Sequence, residues 1–191
     1  MAMSDRLLKA ILSMDSYNRS YGIGLNLTGT KVGTATIDTD SSILLASDGV
    51  TRLDIPVGFY AISYTLSSGE VVISYRGTNA DSFGNFLTDA IHGYWTGGGV
   101  PGDAQSVLAL KFYNDIASKH PLQPITLTGH SLGGGLAGYI GALYGRNVTL
   151  FDNMTYEDAA RSVYDKSYKA YIHSLPTYTD PMIATPDDIA L

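Results

Sequence analysis

Ile125-Thr126-Leu127-Thr128-Gly129-His130-Ser131-Leu132-Gly133-Gly134 is the stretch on which the reading of this chain turns. Four apolar or β-branched residues run straight into Gly-x-Ser-x-Gly, and a segment rich in small residues leaves it toward Tyr144. Alone, the pattern is weak in a chain with 21 glycines. Its setting gives it content. A strand, a sharp turn and a small-residue helix make the elbow on which a serine hydroxyl stands clear of a sheet edge. The flanking glycines have a steric reason, since such a turn needs backbone angles and close approaches that a Cβ would obstruct. Gly134, Ala137, Gly138, Gly141 and Ala142 let the helix lie close to a sheet. Its N-terminus brings partial positive charge beside Ser131. The bland alternative is a glycine-rich turn whose serine does nothing.

Upstream, Val71-Val72-Ile73-Ser74-Tyr75 is an apolar strand that ends abruptly in Arg76-Gly77-Thr78. Acyl transfer needs two donors on a developing oxyanion. One is the amide after the nucleophile, Leu132, and the other comes from the end of a neighbouring strand. Thr78 can offer an amide and a hydroxyl there, while Arg76 braces the loop. By itself Arg-Gly-Thr is a common turn.

The remaining signals place these motifs. Residues 5 to 17 predict a helix, with Leu7, Leu8, Ile11 and Leu12 at helical spacing and Ser4 or Asp5 as its cap. Residues 20 to 50 predict loops and short strands. Gly58 to Leu66 and Glu70 to Tyr75, separated by Ser67-Ser68-Gly69, read as a hairpin. A short helix is expected over 82–91, an exposed glycine-rich loop over 95–102, and a helix capped by Asp103 up to Lys119. Ile125 to Thr128 and Val148 to Phe151 are strands with a helix from Gly133 to Tyr144 between them. A polar helix over 156–164, a strand over 170–173 and a proline-rich tail follow. Strands alternating with helices predict one α/β domain over residues 1–191, its sheet covered on both faces.

Composition excludes several classes. The 191 residues are 45% apolar and 16% charged, against about 25% charged in ordinary domains. That excludes a disordered chain and a coiled coil. Twelve basic against eighteen acidic residues give a net charge of −6 with no basic run, so no nucleic-acid partner is expected. There are no cysteines, so thiolate metal sites and cysteine nucleophiles are excluded. The first twenty residues carry Asp5, Arg6, Lys9 and Asp15 and show no signal peptide; the compartment stays open, secretion by another route included. Pro121 to Gly145 is uncharged, but its prolines and glycines fit a strand, turn and buried helix better than a membrane span. No metal site or cofactor is expected.

The pair Ile73-Ser74-Tyr75-Arg76-Gly77-Thr78 and Thr128-Gly129-His130-Ser131-Leu132-Gly133-Gly134 resembles the class 3 lipases, fungal triacylglycerol lipases and related phospholipases A1. The resemblance covers about residues 55 to 185. It implies an α/β-hydrolase fold with a mostly parallel central sheet flanked by helices. Ser131 would be the nucleophile, with Leu132 and Thr78 forming the oxyanion hole. The family's acid follows the next long strand, commonly as Asp-Pro-hydrophobic, which Asp180-Pro181-Met182 fits; Asp152 is the fallback. The family's histidine comes after the acid, yet no histidine follows Asp180. The base is therefore expected on a continuation beyond Leu191, with His92 and, behind it, His173 as alternatives. A domain that is catalytically incomplete is the third reading. His130 is expected to be structural, because side chains adjacent along a strand point opposite ways, and His120 to be solvated.

The expected function is a serine hydrolase cleaving carboxylic esters of lipids through an acyl-serine intermediate. Its substrate would be a lipid or ester met at a lipid–water interface. Phe83, Phe86, Tyr94 and Trp95 fall where a lid would lie, although a plain core contact explains them equally. Net negative charge favours neutral or zwitterionic esters over anionic surfaces. The second reading is a hydrolase-fold module that binds an acyl ligand or a partner protein without turnover. Oligomeric state is not legible.

Overall fold

Ala61–Leu66 and Val71–Tyr75 bury nearly every side chain on both faces, which a strand does only in the middle of a covered sheet. A computed structural model describes residues 3–22, 25, 27–77, 104–157 and 160 and shows that sheet. In chain order its elements are α1 (Asp5–Tyr21), β1 (Lys31–Val32), β2 (Ala35–Asp40), β3 (Ala61–Leu66) and β4 (Val71–Tyr75), followed by α2 (Ala104–Lys119), β5 (Ile125–His130), α3 (Leu132–Tyr144) and β6 (Asn147–Phe151). The six strands lie side by side in sequence order.

Short turns join β1 to β2 and β3 to β4, and these neighbours are antiparallel, as are β2 and β3. Between β3 and β4, Gly69 takes φ 88°, the left-handed region open to glycine. β5 and β6 follow helices and lie parallel to β4 and β5, because a parallel neighbour needs a long crossover. The sheet is thus mixed. The expected mostly parallel arrangement holds from β4 to β6, and β1 to β4 correct it.

Alternation along the strands sends side chains to two cores. Ala61, Ile73, Tyr75 and Leu127 pack with Leu108, Phe112 and Ile116 of α2 and Leu136 and Ile140 of α3. Ile62, Tyr64 and Val72 pack with Leu8 and Leu12 of α1. Each fully buried leucine or isoleucine contributes about 2 kcal/mol of transfer free energy.

Helix α1 runs four residues beyond its expected end. Ser4 caps it through a 3.3 Å bond from the Leu7 amide, and Gly22 closes it in the left-handed conformation. The extra turn is supported by a buried carboxylate. Asp15 is fully buried and accepts bonds from Arg19 Nε at 3.1 Å, Tyr64 Oη at 2.9 Å and Asn18 Nδ2 at 3.0 Å. Burial, with the Asp15 charge beside it, pushes the Tyr64 phenol far above its ordinary pKa, so it stays a donor.

The expected helix at 82–91, the loop at 95–102, the Asp103 cap and the strand at 170–173 lie outside the described residues, as does most of the helix expected at 156–164.

Candidate functional site

β5 ends in an elbow. Ser131 has φ 56° and ψ −126°, the conformation of the first central residue of a type II′ turn, where glycine is the usual occupant. A non-glycine residue held there costs about 1–3 kcal/mol and persists only where its surroundings dictate it. Here they do. The Ser131 amide donates to the Phe151 carbonyl at 3.1 Å, and the Ser131 carbonyl accepts from Gly135 at 3.1 Å and Met154 at 3.0 Å.

The glycines around Ser131 are required by backbone, not by side chains. A Cβ on Gly129 would stand 2.3 Å from the Gly133 carbonyl oxygen, and a Cβ on Gly133 only 2.1 Å from that of Tyr75. β5 therefore turns into α3 with main chain touching main chain, and the elbow is pressed against the end of β4.

Ser131 is half-buried and occupies the N-cap position of α3 without using its side chain as a cap. Its hydroxyl is not committed to holding the helix. Leu132 is buried and is the first residue of α3. An amide in that position has no acceptor within its own helix, and the helix dipole adds partial positive charge around it.

The Arg76-Gly77 turn lies on the same side. A Cβ on Gly77 would stand 3.3 Å from the Ser131 Cβ and 2.6 Å from the His130 carbonyl oxygen. Arg76 braces this turn as expected. Its Nη2 donates to the Gly58 carbonyl at 2.6 Å, its guanidinium lies 5.5 Å from the Tyr60 ring centre, and its amide donates to the Tyr60 carbonyl at 3.0 Å. Thr78 is the next residue and lies outside the described residues, as do Asp180, His92, His173 and the aromatic cluster of Phe83, Phe86, Tyr94 and Trp95.

Two histidines are accounted for. The His130 ring faces α1, with Nδ1 3.1 Å from the Tyr17 hydroxyl. His120 was expected in solvent and is instead mostly buried, its Nε2 3.0 Å from Asp38 Oδ2. Lys119 Nζ binds the other oxygen of that carboxylate at 2.6 Å. Burial pushes the Asp38 carboxyl up, but Lys119 and His120 outweigh it and hold the pKa below the ordinary range. His120 precedes the start of β5, whereas Ser131 follows its end.

Asp152, the fallback acid, is exposed and takes φ 44°. It follows Phe151, which pairs with His130, so it stands one strand over from Ser131. Tyr17 is the neighbour of the elbow that sequence reading missed. No local pattern links a residue on the first helix to one 113 positions later. Among the described residues no group of side chains could hold a metal ion, and no helix is long and apolar enough to cross a membrane.

Residues 49–186 match the sequence model of the family described as Mbeg1-like. No curated protein matches at a significant level. Among solved structures, the lipase of Rhizopus microsporus var. chinensis is similar at 16% identity and a TM-score of 0.41, over 77% of this chain and 55% of that one. Rhizomucor miehei lipase in its propeptide complex gives 19% and 0.43, over 78% and 52%. Lipase II from Rhizopus niveus gives 16% and 0.39, over 76% and 59%. At these values the likeness to fungal lipases is one of fold alone. The chain spans about half the length of the solved lipases it matches.

Proposed function

The chain belongs to the Mbeg1-like family, and from that premise we propose that it is a serine hydrolase of the lipase or phospholipase A1 type, cleaving carboxylic esters of lipids through an acyl-serine intermediate. The observation that supports this most is the backbone of Ser131, φ 56° and ψ −126°, at the end of β5 beside the Gly77 turn. A strained conformation at a serine whose side chain caps nothing is hard to explain by packing, since glycine would fit better there.

Each residue then has a role. Ser131 attacks the ester carbonyl after giving its proton to a histidine. The oxyanion rests on the amides of Leu132 and Thr78 and the Thr78 hydroxyl. The leaving alcohol takes the proton from that histidine, and water then releases the acyl group by the same route in reverse. Asp180 orients the base. His120 and His130 are engaged elsewhere, so the base is His92, His173 or a histidine that follows Leu191. The substrate is a neutral or zwitterionic lipid ester, met at a lipid–water interface.

Labelling of the full-length protein with a fluorophosphonate tests the proposal. The expected result is one covalent adduct at Ser131, lost in Ser131→Ala. Thr78→Val should then lower turnover of a short nitrophenyl ester about 10–1,000-fold with folding unchanged. Asp180→Asn should cripple it where Asp152→Asn does not, and the reverse result would exchange their roles. A full-length protein that takes no label favours the second reading, a module that binds an acyl ligand or partner without turnover.

A further inference from the structure

Helix α1 precedes the residues that match the family and supplies nothing to the reaction just described. One of its side chains nevertheless reaches the elbow. The Tyr17 hydroxyl is 3.1 Å from His130 Nδ1 and 3.4 Å from the His130 carbonyl oxygen, and the two rings meet edge to face with centres 5.9 Å apart. The same hydroxyl lies 2.3 Å from the point where a Cβ on Gly77 would stand. The Ser131 Cβ is 3.3 Å from that point. One buried phenol thus touches the residue before Ser131 and the glycine that follows Arg76.

We propose that Tyr17 is a positioning residue that sets the separation between Ser131 and the Arg76-Gly77 segment, an inference that rests on the serine hydrolase reading. Three features carry it. First, Gly77 has no room for a side chain because Tyr17 and the His130 carbonyl occupy the space, so the phenol is wedged between the ends of β4 and β5. Second, α1 is fixed to those two strands. Ser74 Oγ on β4 donates to the Leu12 carbonyl at 3.1 Å, and Thr128 Oγ1 on β5 lies 3.5 Å from that of Lys9. Third, the link suits either form of His130. With Nδ1 bare, the phenol donates to it. With Nδ1 protonated, the ring donates to the phenol, which turns its own proton to the His130 carbonyl. Oxyanion donors must stand within a few tenths of an ångström of their productive places, and a 1 Å error can cost about 100-fold in rate.

The test compares Tyr17→Phe with the parent in the full-length protein, by the rate of fluorophosphonate labelling at Ser131 and by kcat and KM on a short nitrophenyl ester. Tyr64→Phe is the control, since it removes a phenol from the same helix–sheet interface without touching the elbow. Expected are labelling and kcat lower by about 10–100-fold in Tyr17→Phe with KM little changed, and a parental labelling rate in Tyr64→Phe. Parental labelling in Tyr17→Phe, or equal slowing in both variants, overturns the proposal. A parent that takes no label removes the hydrolase reading, and exchange of the Ser131 amide then decides. Faster exchange in Tyr17→Phe than in the parent supports the brace, and equal exchange overturns it.

Discussion

The antiparallel half of the sheet, β1 to β4, and the parallel half, β4 to β6, are held together by different means. In the first, charged and hydroxyl side chains tie helix to strand, as Asp15 does with Arg19 and Tyr64, and hold the 41–60 connection to itself, as Asp54 does with Arg52 and Ser41. In the second, glycines at 129, 133 and 134 let backbone meet backbone, and α3 carries no charged residue. Side-chain networks can be loosened one bond at a time. A main-chain contact at 129 or 133 leaves no slack, and that is where Ser131, the proposed nucleophile, is held.

Gly133→Ala tests that contrast most severely. Its Cβ would meet the Tyr75 carbonyl oxygen at 2.1 Å and the Arg76 carbonyl carbon at 2.7 Å, neither of which can move without shifting β4. The expected cost is about 3 kcal/mol or more in urea unfolding, or failure to fold. In Gly138→Ala the nearest atoms to the new Cβ are those of the Tyr156 ring, which can swing aside, and helix propensity offsets much of the strain. An equal loss in both variants would show that glycines of the parallel half are there for helix packing alone.

Breaking the antiparallel half should cost less. Asp15→Asn leaves Arg19 facing a neutral amide and is expected to lose about 2–3 kcal/mol, by the same unfolding measurement. Asp54→Asn sharpens the point through pH. Burial pushes the Asp54 carboxyl up, but Arg52 and Ser41 outweigh it, so its folded pKa lies below the ordinary 3.8. Its contribution is therefore present above 3.8 and fades as pH falls through the lower folded value. The variant should be less stable than the parent by about 1–2 kcal/mol at pH 7, and the gap should close progressively below pH 3.8. A gap that persists in acid would assign the loss to packing instead.

Legibility in the sequence followed the range of the interaction. The β3–β4 hairpin, the β5–α3 elbow and the bracing role of Arg76 were readable, because turn residues and period act over a few positions. Strand alternation gave His130 a structural place in the fold; that Tyr17 on the first helix is its partner was not readable. The antiparallel pairing of β2 was hidden because a register shift between Ile37 and Thr39 breaks its alternation. His120 was misjudged because its partner, Asp38, lies 82 residues away.

The dihedral angles of Ser131 carry one more consequence. Glycine would rest at φ 56° and ψ −126° without penalty, so Ser131→Gly should gain about 1 kcal/mol and melt a few degrees higher in a calorimeter. Tougher and inert would arrive together in one substitution. A search for heat-resistant versions of this chain that never assayed turnover would be drawn toward discarding the one hydroxyl on which the proposed reaction depends.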